Sequence, residues 1–110
     1  MKDFRQAVVK ALLPHIVLSL LSTEPMHGYG IICTIRKKHR PAYFGPSTIY
    51  PLLIEFEREG LVTSQWNMIG ERPRKTYGIT GKGRMFLAQT EVTLRAEQII
   101  DKTIVPVEAV

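Results

Sequence analysis

The sequence predicts a mainly α fold carrying one β-hairpin, and three observations lead there. Apolar residues recur at helical spacing in three stretches before Gly60, the period drops to two between Leu61 and Ile79, and helical spacing returns from Gly81 onward. A chain of 110 residues has room for one compact unit rather than two independent ones. Its apolar fraction of 45%, spread along the whole length, excludes disorder of the low-hydrophobicity, high-charge kind.

The first helix is marked by Leu13, Ile16, Val17, Leu20 and Leu21, which share one face. Pro14 falls near its start, where a missing N–H is harmless. Phe4, Ala7, Val8 and Ala11 have a similar spacing and read as a short extra helix ahead of it. Thr23 to Met26 reads as a turn, and Gly28 to Lys38 as a second helix with Tyr29, Ile32 and Ile35 inward. Lys37 and Lys38 end that helix, where they complement its dipole and also offer contacts to phosphate. Pro46 suits the first position of a third helix reaching about Glu59, with Ile49, Leu52, Leu53 and Phe56 buried and Gly60 closing it. Pro51 lies beyond the first turn and removes a backbone donor. Ser47, Thr48, Tyr50 and Ile54 lie opposite the buried face.

From Leu61 the period of two sets Val62, Ser64, Trp66 and Met68 on one side of a strand and Thr63, Gln65 and Asn67 on the other. The expected loop spans Ile69 to Pro73, and the returning strand carries Tyr77 and Ile79. Arg72, Arg74 and Lys75 make the hairpin tip basic. Trp66, a large aromatic residue in a small chain, is expected in the core, with a ligand-facing role as the alternative. Thr80 can cap a last helix from about Gly81 to Thr103. Met85, Ala88, Val92, Ala96 and Ile99 form a broad apolar stripe on it, while Leu87 and Leu94 fall near the opposite side. One helix with two apolar faces needs two surfaces to bury them, its own domain and a second chain. The chain therefore divides into residues 1–80 and a dimerisation segment, 81–110.

Lysine and arginine total 15 against 10 acidic residues, a formal charge of +5 that favours an anionic partner, nucleic acid or a membrane surface. The charge is uneven: residues 1–40 carry seven basic and two acidic groups, and residues 61–84 carry five and one. The apolar run Leu12–Leu21 is broken by Pro14, His15 and Ser19 and is too short for a membrane span. The first residues lack the features of a secretory signal. Cys33 is the only cysteine, so no intrachain disulfide can form, and a cytoplasmic protein is expected.

No catalytic or cofactor chemistry emerges. His15, His27 and His39 with Cys33 do not have metal-ligand spacing. Gly78, Gly81 and Gly83 lack a phosphate-binding motif, and no serine, histidine and acid order establishes a hydrolase triad.

Three helices followed by a basic-tipped hairpin give the order of a winged helix-turn-helix, whose third helix can enter the major groove while the hairpin reaches the adjacent backbone. The sequence further resembles the PadR family of transcriptional regulators. The resemblance runs over roughly residues 13–90 and is carried by Pro25, His27, Gly28 and Tyr29, by Pro46–Leu53 with Glu59–Val62, and by Pro73, Arg74, Lys75, Tyr77, Ile79, Thr80, Gly83 and Arg84. It implies a recognition helix at Pro46–Phe56, a wing near Arg72–Lys75, a C-terminal helix in a dimer interface, and operator binding, usually as a repressor. Ser47 and Gly45 depart from the family pattern at the start of the recognition helix. A homodimer would favour double-stranded DNA with an inverted repeat. A cavity between the C-terminal helices and the DNA-binding units would give an unidentified small-molecule effector its place. The competing function is a winged-helix protein-interaction module that meets an acidic partner without reading DNA.

Overall fold

A computed structural model describes residues 4–38 and 44–97. Its elements run α1 (Phe4–Thr23), β1 (Met26–His27), α2 (Gly28–Lys38), α3 (Pro46–Arg58), β2 (Val62–Ile69), β3 (Arg72–Ile79) and α4 (Gly81–Ala96). The core gathers Leu13, Val17, Leu18 and Leu21 of α1, Ile31, Ile32 and Ile35 of α2, and Ile49, Leu53 and Phe56 of α3. Val62 and Tyr77 close it from the sheet. In each helix these residues stand three or four apart, so burying one stripe fixes the helix's rotation about its axis.

Three expectations for the chain before α3 need correction. The extra helix and the first helix are one continuous α1, and Pro14 lies inside it, where its ring nitrogen cannot donate to the Lys10 carbonyl. Tyr29 points outward and is 55% exposed. The buried stripe of α2 is Gly28, Ile31, Ile32 and Ile35, and Tyr29 falls one residue off it. Finally, Met26, expected at the end of a turn, forms a short strand with His27. They pair antiparallel with Tyr77 and Thr76, giving a three-stranded sheet in the order β1-β3-β2.

Beyond β1 the hairpin continues as a two-stranded wing whose register runs from Val62↔Ile79 to Ile69↔Arg72. The expected loop from Ile69 to Pro73 is thereby shortened to Gly70 and Glu71. Gly70 has φ 66°, the left-handed conformation that tight hairpin turns favour in glycine. Pro73 is a strand residue opposite Met68. It is tolerated because β1 pairs only with Thr76 and Tyr77, leaving the outer edge of β3 free at Pro73.

The wing returns to the core through a tight junction. The Thr80 side chain caps α4, accepting the Gly83 N–H at 3.0 Å, and Lys82 Nζ donates to the Glu59 carbonyl at 2.7 Å. A Cβ on Gly83 would collide with the Leu61 carbonyl oxygen, a backbone atom that cannot swing aside. Gly83→Ala should therefore destabilise the fold by about 1–3 kcal/mol, overpacking outweighing the better helix propensity of alanine. Chemical denaturation checks this, and an unchanged midpoint would contradict the close approach.

α4 packs along α1, and Phe86 and Leu87 extend the core. Across this seam His15 Nδ1 lies 3.0 Å from Thr90 Oγ1. Since the Thr90 hydroxyl donates to the Leu87 carbonyl, the imidazole is the donor to it. Burial lowers the His15 pKa from 6.5, with Glu91 opposing the shift. The unfolded chain therefore binds the proton more readily, and His15's contribution to stability, present above pH 6.5, is lost as pH falls through the depressed value. Thermal melts should show a steeper loss between neutral and mildly acidic pH for the parent than for His15→Gln; parallel losses would contradict this role. The described part of α4 ends at Ala96, so Ile99 and the remainder of the helix expected to Thr103 lie outside the described residues.

Candidate nucleic-acid interface

The start of α2, the outer side of α3 and the wing meet around a cleft of about 440 Å³. His27, Gly28 and Tyr29 line one wall, Tyr50 comes from α3, and Trp66, Arg72, Pro73, Arg74, Lys75 and Tyr77 come from the hairpin. Tyr50 is placed by Gly28: its ring occupies the space a Cβ there would need. Lys75 Nζ lies 5.9 Å from the centroid of the Trp66 ring and 5.8 Å from that of Tyr77. It is also 3.8 Å from Glu57 Oε1, while Glu57 Oε2 accepts the Ser64 hydroxyl at 2.6 Å. A half-exposed ion pair this long holds weakly, so Lys75 can exchange its carboxylate for a phosphate at small cost. Burial raises the Tyr77 pKa, and Glu57 and Tyr50 add to the shift.

Arg74 is held differently. Its Nη1 lies 3.2 Å from His27 Nδ1 and 3.3 Å from Nε2. The same Nδ1 accepts the Gly30 N–H at 3.0 Å. The cations of the wing are thus brought to one cleft with an aromatic side chain of α3, an arrangement that can grip an anionic, ring-bearing polymer.

On α3 the exposed stripe is Ser47, Tyr50, Pro51 and Ile54, opposite buried Ile49, Leu53 and Phe56. Thr48 is half-buried on its flank. Pro51 has no N–H for the Ser47 carbonyl, which is left on the solvent side. Lys37 and Lys38 are exposed but line no part of the cleft. At about 1.5 Å rise per residue, Lys37 stands about 12 Å along α2 from Tyr29.

Trp66 is 67% exposed on the wing, so the expectation of a core tryptophan fails. Its place beside Lys75 also separates it from an effector cavity next to the C-terminal helix, since no residue of α4 lines this cleft. Charge and groove-facing position do not single out His27 or Tyr29 as site residues. The signal for Tyr29 is its offset from the Ile31, Ile32 and Ile35 stripe.

On α4, Met85 and Val92 are 66% and 69% exposed, with Ala88 and Ala96 exposed beside them. Leu94 faces α1. With Phe86, Thr90 and Thr93 it forms one wall of an apolar groove of about 300 Å³, whose other wall is Ala11, Leu12, Pro14 and His15. Among the described residues no group of three or more His, Cys, Asp or Glu is placed to hold a metal ion. No described helix is long and apolar enough to cross a membrane.

Three packed helices, an antiparallel wing beside the third of them and a further helix docked on the first define a winged helix-turn-helix protein with a C-terminal helical extension. The chain belongs to the PadR-like family of transcriptional regulators, whose sequence profile matches residues 17–89. This is a family of regulators, not of enzymes. A PadR family transcriptional regulator from Eggerthella lenta is similar at 30% identity and TM-score 0.74, over 82% of this chain and 78% of that one. A PadR-like transcription factor from Bacteroides fragilis is similar at 26% identity and TM-score 0.73, over 94% of this chain and all 100% of that one. Bacillus subtilis PadR, solved in complex with operator DNA, shares 25% identity at TM-score 0.68, over 74% of this chain and 47% of its own. No curated protein sequence gives a significant match.

Proposed function

We propose that the protein is a cytoplasmic, sequence-specific repressor that binds an inverted repeat in double-stranded DNA as a homodimer. The observation that carries this reading is the cleft itself, which joins Tyr50 of α3 to Arg72, Arg74 and Lys75 of the wing. With α3 in the major groove, Ser47, Tyr50 and Ile54 meet base edges, Thr48 flanks them, and the wing cations meet the backbone. Lys37 and Lys38, remote from the cleft, add phosphate contacts outside it. The solved complex of Bacillus subtilis PadR with operator DNA supports the choice of partner.

Residues 1–80 form the DNA-binding unit and 81–110 the dimerisation segment. A second copy seated over α4 and the α1–α4 groove buries Met85, Ala88, Val92 and Ala96, and reaches Leu94 through the groove. Such a dimer presents the recognition surface twice about a two-fold axis. Selection from random duplexes should accordingly return inverted repeats with half-site centres roughly 34 Å apart, one helical turn. A selected site placed across a promoter should silence its reporter when the protein is expressed. Asymmetric, unrepeated sites would oppose the docking, and an activated reporter would oppose repression.

A further inference from the structure

The imidazole of His27 serves two neighbours that are far apart in sequence. It stands directly before α2, and its Nδ1 accepts the N–H of Gly30, the third residue of that helix, at 3.0 Å. This is the geometry of a side-chain N-cap, unusual only in using an aromatic acceptor. Gly30 permits it: a Cβ there would stand 3.3 Å from His27 Cε1. The lone pair of Nδ1 lies in the ring plane and is taken up by this bond.

Arg74 uses another part of the ring. Its Nη1 is nearly equidistant from the two ring nitrogens, at 3.2 and 3.3 Å. In the ring plane that position would collide with Cε1, which lies between them. Nη1 therefore lies over the imidazole face, in the manner of a cation over an aromatic ring. One side chain thus ties the turn into α2 to the wing. An arginine otherwise loses much rotamer freedom when it grips a phosphate; one already seated loses less.

We infer that His27 is a positioning residue for DNA binding, its ring nitrogen capping α2 while its ring face holds Arg74 ready for a backbone phosphate. The inference rests on the proposed DNA contact of Arg74, and the experiment separates the two. Asparagine at position 27 keeps a good cap acceptor but has no aromatic face. Phenylalanine keeps a face but no acceptor.

Full-length parent, Arg74→Ala, His27→Asn, His27→Phe and the His27→Asn/Arg74→Ala double variant would be titrated onto the selected operator and a scrambled duplex, with thermal unfolding alongside. Arg74→Ala should weaken both duplexes and lower the salt slope, which secures the backbone contact. His27→Asn should melt close to the parent yet bind both duplexes about 3- to 30-fold more weakly, within the coupling range of residues in contact. The double variant should bind no worse than Arg74→Ala alone. His27→Phe should melt lower and recover affinity relative to His27→Asn. Parental affinity in His27→Asn, or losses that multiply in the double variant, would overturn the inference. If Arg74→Ala leaves both duplexes bound as before, the backbone role of the wing fails, and the positioning role falls with it.

Discussion

A protein carrying glutamate at both Met85 and Val92 should sediment as a folded monomer, and its operator affinity should fall by about 10²- to 10⁴-fold, the range by which joining two binding modules exceeds either alone. Both side chains are more than half exposed and belong to no part of the core, so the monomer has no reason to unfold. Glutamate is also a good helix former. In the proposed dimer the same positions are buried, and each protomer would bring two unpaired carboxylates into an apolar contact, which strongly opposes association. A second copy over the stripe would otherwise gain about 1.5–3 kcal/mol for each large side chain fully removed from water. Retention of the parental dimer by the double variant would place the interface on another face of the molecule.

Recognition helix and wing should fail in different ways. Ser47 and Ile54 lie on the exposed stripe of α3 and do not line the cleft, so trimming either to alanine leaves the wing cations in place. Removing a good interaction with a base edge should reduce discrimination between the operator and scrambled DNA by about 1–3 kcal/mol. Lys75→Ala should instead weaken both duplexes by similar factors, lowering the log–log salt slope by about 0.9 for every phosphate that is no longer neutralised. With two wings per dimer the decrease can be double. The weak Glu57 pairing of Lys75 means that the fold is little affected by the change. Salt titrations of each variant on both duplexes provide the comparison. A wing variant that alters sequence preference with its slope intact would show that the wing reads bases or groove shape.

The parts of this architecture legible in the sequence are those written as periodicity. Ile49, Leu53 and Phe56 define the inner side of α3, and by opposition its outer side at Ser47, Tyr50 and Ile54, whereas Thr48, expected with them, sits half-buried on the flank. The alternation from Val62 to Met68 announces the hairpin, and Thr80 announces the start of α4. β1 is only Met26 and His27, too short to show alternation, and it exists because β3 offers it an edge. Trp66 and Tyr29 reverse the expectation that large aromatic residues are buried, and both line the cleft. Lys37 and Lys38 stand out by charge, which carries no information about which end of a helix faces a partner. The His27–Arg74 contact spans 47 residues and depends on the sheet register, which no local pattern contains.

The most direct test of the central claim is the affinity of the intact protein for its selected inverted repeat, measured across a series of salt concentrations beside scrambled DNA. The α3 and wing interface predicts tight binding of one dimer per repeat, weaker binding to the scrambled duplex, and affinity falling steeply and linearly on a log–log plot as phosphate contacts release counterions. Absence of duplex binding even at low salt would contradict it.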